Sequence, residues 1–387
     1  MHTSPRLNPS RRSFLRYAGM AAAAAPIMSE ALLARPAAAQ MIPPEPRLSH
    51  AGLPGTSPRL VMIDANENPL GPCEAALGAI ATSASVGGRY DANGVYQNLY
   101  ALISQKLDMP ADHFAVYAGS SEPLHFTVLA FTSPTRPFII ADPSYEAGMW
   151  AAAAAGAKIE KWPLTPTYAH DVKAMVASSP EAGVIYICNP NNPTGTTTPK
   201  EDILWANANK PKGSILLIDE AYIHLSNEPS CLDLVRKGED VVVLRTFSKV
   251  YGMAGIRCGI AFGRPDLLKK LQRYGMNPLP VTGLAAAAAS LQDATLVETR
   301  RKIIADTRNS TFAWLTAKGY KFIPSSSNCF MIDTGRPGKD VITAMQQRNV
   351  YIGRTWPIWP TYVRITVGTP QDMTAFQNAF AAVMSTA

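Results

Sequence analysis

The sequence predicts an α/β fold, with a mostly parallel seven-stranded sheet between helices and a smaller α+β domain following it. Three observations predict it. Seven short β-rich runs alternate with Ala- and Leu-rich segments: "FAVYAG", "PFIIAD", "AKIEKW", "GVIYICNP", "SILLIDE", "VVVLRT" and "GIAFG". Apart from "AKIEKW", the runs are largely continuous in apolar residues rather than alternating, as expected of strands buried on both faces. Polar residues collect just after three of them, where parallel sheets place ligands.

Residues 1–39 stand apart from this pattern. Five arginines (Arg6, Arg11, Arg12, Arg16, Arg35) oppose Glu30 alone, a local excess of +4 within a total of +7. The paired Arg11 and Arg12 precede Phe14 and Leu15, an Ala-rich stretch and then "RPAAAQ". That order resembles a twin-arginine export signal, cleaved near Ala39, and implies a periplasmic protein exported already folded. Pro26, Ser29 and Glu30 interrupt a weakly apolar segment, which argues against a stable membrane span. The body holds no Lys/Arg block, so nucleic acid is a poor partner. Five scattered cysteines argue against a fully paired disulfide framework, and six dispersed histidines show no metal-ligand spacing.

Residues 40–70 are expected to form an N-terminal arm, since 40–59 hold five prolines. The large domain is expected over 71–275. Its last run, "GIAFG", follows "VVVLRT" closely enough for one antiparallel edge pairing. The smaller domain is expected over 276–387, opened by one long helix across 283–318.

Three strand exits carry groups that packing alone does not explain. "VIYICNPNNPTG" ends in Asn191, Asn192, Pro193 and Gly195; "ILLIDEAY" in Asp219 and Tyr222; "VVVLRTFSK" in Thr246, Ser248 and Lys249. Each alone is a common turn, cap or surface residue. Together they face one crevice. A neutral lysine amine at its base is a nucleophile for an aldehyde. A buried Asp219 would keep a pyridine nitrogen protonated, and Asn192 and Tyr222 would hydrogen-bond a phenolic oxygen. Thr246, Ser248 and Arg257 would grip a phosphate, joined by Gly119, Ser120 and Ser121 at a helix start. Tyr145 would stack on a ring face. These are the functional groups of pyridoxal 5′-phosphate.

The motifs "NENPLGP", "AGSSE", "DPSY", "NPNNPTG", "DEAY", "SKVYGMAGIRCG" and "YVRITVGT" resemble the class I/II aminotransferases of PLP fold type I, nearest the histidinol-phosphate aminotransferase branch. The likeness runs from about residue 60 to the end. It implies Lys249 as the lysine that joins the cofactor and shuttles a proton, Asp219 at the pyridine nitrogen, and Asn192 and Tyr222 at the phenolic oxygen. It implies Ser120, Ser121, Thr246, Ser248 and Arg257 around the phosphate, and Tyr90 reaching the phosphate of a neighbouring subunit in a homodimer. Asn68 matches a substrate-side position, Arg364 the arginine that clamps the substrate's acidic end, and Arg354 a position near its distal end. The implied activity is transamination between a small-molecule primary amine and a 2-keto acid.

The phosphate turn departs from the family pattern: Ser121 replaces an aspartate in "GSSE", which keeps a hydroxyl and an N–H. Trp356 and Trp359, in "YIGRTWPIWPTY", fall beside the expected substrate region; as surface residues of a loop they pack a dimer contact or a lid, and as pocket residues they would favour an aromatic or otherwise apolar substrate. Two other readings stand beside transamination. One is a decarboxylase or lyase on the same scaffold, the other an exported protein that binds PLP or another ligand without catalysis. The substrate itself is not legible here.

Overall fold

Parallel pairing of the long apolar runs dominates the architecture. The computed structural model describes residues 60–91, 94–275 and 278–385; the expected export signal and most of the expected arm lie outside the described residues. Its strands are β1 (Val61–Ile63), β2 (Phe114–Tyr117), β3 (Phe138–Asp142), β4 (Ile159–Pro163), β5 (Val184–Cys188), β6 (Ile215–Asp219), β7 (Val241–Thr246), β8 (Gly259–Phe262), β9 (Lys321–Ile323), β10 (Cys329–Asp333), β11 (Val350–Ile352) and β12 (Tyr362–Thr366).

Strands β2 to β8 form one sheet in the order β2-β8-β7-β6-β5-β3-β4. Every one of the seven runs is a strand of it. From β4 across to β7 the pairing is parallel, while β8 runs antiparallel to both neighbours. The antiparallel strand therefore lies inside the sheet rather than at its edge, because β2 adds beyond it.

The central strands explain their own composition. β5 and β6 are buried at every position, and β7 at every position but Arg245. Side chains alternate between two cores: Ile185, Ile218 and Val243 on one face, Tyr186, Leu217 and Val242 on the other. Helices cover both faces, so these central strands have no polar side to offer water, whereas the edge strand β4 carries the partly exposed Glu160 and Lys161.

Beyond this sheet, β12, β10 and β9 form an antiparallel trio, and β1 pairs in parallel with β11. The short β1 falls within the expected arm and ties it to the C-terminal part of the chain. The single helix expected over 283–318 is two helices, Val281–Gln292 and Leu296–Ala317. Asp293 breaks them: its backbone is extended, and its Oδ1 accepts from Thr295 N at 3.0 Å and Leu296 N at 3.1 Å. The carboxylate caps the second helix, a local choice that competes with continuing the first. Among the described residues no helix is long and apolar enough to cross a membrane, and no group of three acidic, His or Cys side chains could hold a metal. All five cysteines are free and buried.

Candidate active site

The carboxyl ends of β2, β5, β6 and β7 converge, and the sequence-predicted polar residues come with them. Lys249 lies three residues past β7 and is half-buried. Its Nζ donates to the carbonyl of Asn66 at 2.9 Å and sits 5.3 Å from the centre of the Tyr222 ring. Burial, with the Arg364 guanidinium as the next influence, lowers its pKa to about 8. A substantial neutral fraction therefore exists near physiological pH.

Asp219 closes β6 and is 2% exposed. Its Oδ1 accepts from Ala221 N at 3.0 Å and its Oδ2 from the Tyr186 hydroxyl at 2.9 Å. Burial pushes its pKa up to about 6. A buried carboxylate with two neutral donors is short of a cation, and a protonated ring nitrogen would supply one.

A donor-rich pocket lies on the other side of Lys249. Thr246 Oγ1 donates to Ser248 Oγ at 2.8 Å, both side chains being buried. Arg257 has left-handed backbone, φ 66°, and its guanidinium donates to the carbonyls of Ala254 and Ala118 at 2.7 and 3.0 Å. It lies directly over Gly119, where an added Cβ would fall 2.0 Å from Nη2. On β8, a Cβ at Gly259 would meet the Gly119 carbonyl carbon at 2.4 Å and Ser120 N at 2.6 Å. These two glycines let the turn that starts the helix Ser121–Phe131 press against β8. Ser120 is the N-cap and forms no side-chain cap bond, so its hydroxyl remains for an anion. The Ser121 hydroxyl bonds instead with Tyr145, whose own hydroxyl burial drives to higher pKa.

The fourth wall comes from residues far away in sequence. Asn66 has φ 54°, and its Nδ2 donates to the Tyr222 hydroxyl at 3.1 Å and to Asn192 Oδ1 at 3.4 Å. Its backbone N donates to Thr366 Oγ1 at 2.9 Å, and Asn328 Nδ2 donates to its carbonyl at 3.2 Å. Arg364 on β12 is buried; Nη1 donates to Asn192 Oδ1 at 2.9 Å and Nη2 to the Asp64 carbonyl at 2.5 Å. Its Nε is buried without a partner. Sequence reasoning missed Asn66, choosing its neighbour Asn68 in "NENP". Asn68 is buried two residues on, its Nδ2 on the carbonyl of Val250 at 3.0 Å and its Oδ1 on Leu70 N at 3.1 Å. Both ends of its amide serve the backbone and brace the residue after Lys249. Nothing in the motif distinguishes the two asparagines; only contacts spanning some 300 positions do.

Trp356 corrects an expectation. It is 1% exposed rather than at the surface, packed with Ile323 and Met331, and two guanidinium groups flank it: Arg354 at 4.3 Å and Arg364 at 5.7 Å from the ring centre. Trp359 is half-buried, edge-on to Tyr168 at 5.7 Å. The β12 register explains the difference, since it brings the loop back over the three-stranded sheet. Arg354 is half-exposed and pairs with Glu146, the residue after Tyr145. Tyr90 is 80% exposed and joins none of these groups within the chain. One cleft, of about 540 Å³ between Lys106, Lys200, Asp233, Arg236 and Arg245, lies away from this chemistry. A second, of about 330 Å³, is lined by Glu67, Asn68, Gly252, Ala254 and Thr366 and adjoins it.

Residues 59–380 match the family model for aminotransferase class I and II. The chain belongs to that family. The aminotransferase is 33% identical over 330 residues to a histidinol-phosphate aminotransferase of Symbiobacterium thermophilum, covering 84% of this chain and 91% of the relative. It is 32% identical to an aromatic amino acid aminotransferase of Cutibacterium acnes, covering 80% and 88%. Among solved structures, an Erwinia carotovora atroseptica protein superposes with TM-score 0.80 at 30% identity over 84% of this chain and 96% of that one. The fold is also that of the histidinol-phosphate aminotransferase of Sinorhizobium meliloti, solved in complex with pyridoxal-5′-phosphate (TM-score 0.77, 24% identity, 85% and 92% covered). The enzyme is a PLP-dependent aminotransferase with the α/β architecture of PLP fold type I.

The residues present fit that cofactor on their own chemistry. The Gly119 cradle under Arg257, with the Thr246, Ser248 and Ser120 hydroxyls, suits a phosphate. The cation-poor Asp219 suits a pyridinium, and the neutral-leaning Lys249 amine suits a carbonyl carbon.

Proposed function

We propose that this aminotransferase moves the amino group of an amino acid or related primary amine to a 2-keto acid, with Lys249 as the proton-transferring residue. The observation that carries the reading is the Lys249 amine, lowered to about pKa 8 and set among four strand exits. Bound pyridoxal phosphate supplies the carbonyl for the incoming amine and a protonated ring that draws electrons from the donor's α-carbon. Arg364 receives the donor's carboxylate: its Nε is free, and a carboxylate competes for the Nη1 now on Asn192. That grip orients the Cα–H bond toward Lys249, whose neutral Nζ takes the proton. With the cofactor bound, Asn192 and Tyr222 would hold the phenolic oxygen, Tyr145 would stack on the ring, and Ser120, Ser121, Thr246, Ser248 and Arg257 would hold the phosphate.

The exposed Tyr90 supports a homodimer in which each subunit completes its neighbour's phosphate site. The twin-arginine motif supports export to the periplasm. Relatives named for histidinol phosphate act in this branch. An exported enzyme meets other amines, so an amino acid or modified amine outside the cytoplasm is the proposed donor. The test is a single-turnover screen of amines and keto acids on the mature protein, read from the cofactor's absorbance. Conversion of the cofactor to its amine form by at least one donor is expected. Carbon dioxide release without a keto product would overturn transamination for this site.

A further inference from the structure

Strand β5 reads Val-Ile-Tyr-Ile-Cys and is buried throughout. Tyr186 in its middle has no exposed surface, yet carries a hydroxyl that phenylalanine would spare. A buried hydroxyl is unfavourable without a partner. This one donates to Asp219 Oδ2 at 2.9 Å. The register pairs Cys188 with Asp219 and Tyr186 with Leu217, so the tyrosine stands two residues below the carboxylate on one face and its length spans the step. Phe138, with ring centres 6.1 Å apart, packs on the phenol ring. With Ala221 N on Oδ1, each carboxylate oxygen has a fixed donor.

We propose that Tyr186 is a positioning residue for the cofactor: its buried phenol fixes the Asp219 carboxylate and favours the ionised form that a protonated ring nitrogen requires. The inference rests on Asp219 as the partner of that nitrogen. Burial raises the Asp219 pKa, and among the influences that oppose it the bond from Tyr186 is the largest. The other titratable groups facing Asp219 are Cys188 on β5, Tyr145 after β3, Lys249 beyond β7 and the adjacent Glu220. Burial drives the Cys188 thiol and Tyr145 phenol upward, so both stay neutral through the pH range of the test.

The test measures pyridoxal phosphate affinity by fluorescence quenching of cofactor-free protein, from acid to neutral pH. Wild type, Tyr186→Phe, Asp219→Asn and the double variant are compared. Tyr186→Phe is expected to bind about tenfold more weakly. The pH below which affinity falls moves upward, because a carboxyl without its donor keeps its proton longer. In the Asp219→Asn background the same change is expected to have no effect. Unchanged affinity and pH profile in Tyr186→Phe overturn the proposal. So does an equal loss in both backgrounds, which would make the phenol a packing group only. Unchanged binding by Asp219→Asn would instead defeat the reading of Asp219, and the inference with it. Should Tyr186→Phe fail to fold, 3-fluorotyrosine placed at 186 alone gives a second reading. Its more acidic phenol is expected to move the fall-off to lower pH, and an unmoved fall-off overturns the proposal.

Discussion

Lys249 and Asp219 carry opposite perturbations, and pH separates them. Between pH 8 and the ordinary lysine value of 10.5, the unfolded chain holds a proton that folded Lys249 has lost. This contribution makes the cofactor-free protein more stable as pH rises through that window. Asp219 behaves in reverse: between its ordinary 3.8 and about 6 the folded form holds a proton that the unfolded chain has lost. Stability from this group therefore falls as pH rises from about 4 to 6. Urea midpoints across pH check both signs, with Lys249→Met flattening the alkaline limb and Asp219→Asn the acid limb. In the loaded enzyme, Lys249→Ala is expected to lower turnover by roughly 10²-fold or more. Borohydride reduction of wild type should leave a pyridoxyl mass on the peptide containing Lys249, and no such mass in the variant.

At the scale of elements, the turn between β2 and the helix Ser121–Phe131 is a demanding local structure. Gly119 has φ 93° and no room for a Cβ beneath Arg257. Gly119→Ala is expected to cost about 1–3 kcal/mol in urea denaturation of the cofactor-free protein, and to weaken cofactor binding about tenfold or more by displacing the guanidinium. Asp293→Ala, which removes only a helix cap, is expected to cost about 1 kcal/mol and leave that affinity unchanged. These elements were unequally legible in the sequence. The strands could be read because burial on both faces demands unbroken apolar runs such as "VVVLRT", and the strand exits followed from where parallel sheets put their carboxyl ends. The break at Asp293 was hidden inside an Ala-rich stretch whose composition suits one helix as well as two. Trp356 was misjudged, and Asn66 missed, for a different reason. The surroundings of Trp356 are made by β9, β10 and β12 and those of Asn66 in part by β12, and no local pattern encodes which distant strand arrives.

At the scale of the whole molecule, the exposed Tyr90 and the proposed sharing of the phosphate site between two subunits make a testable prediction. Lys249→Ala and Tyr90→Ala subunits, each poorly active alone, are expected to regain activity when unfolded and refolded together. Random pairing gives about a quarter of the wild-type sites, as one site in each hybrid is intact. Activity no greater than the sum of the separate variants would mean that each chain builds its site alone. Export is checked in the cell: replacing Arg11 and Arg12 by Lys should leave the activity in the cytoplasm. The bonds from Asn66 to Thr366 and from Arg364 to the Asp64 carbonyl join the two ends of the described chain at the reacting centre. A nascent chain halted before residue 364 would display the nucleophile with one wall of its pocket still inside the ribosome. Competence thus waits for β12, some 300 residues after Asn66, so the nucleophile is made well before the wall that encloses it.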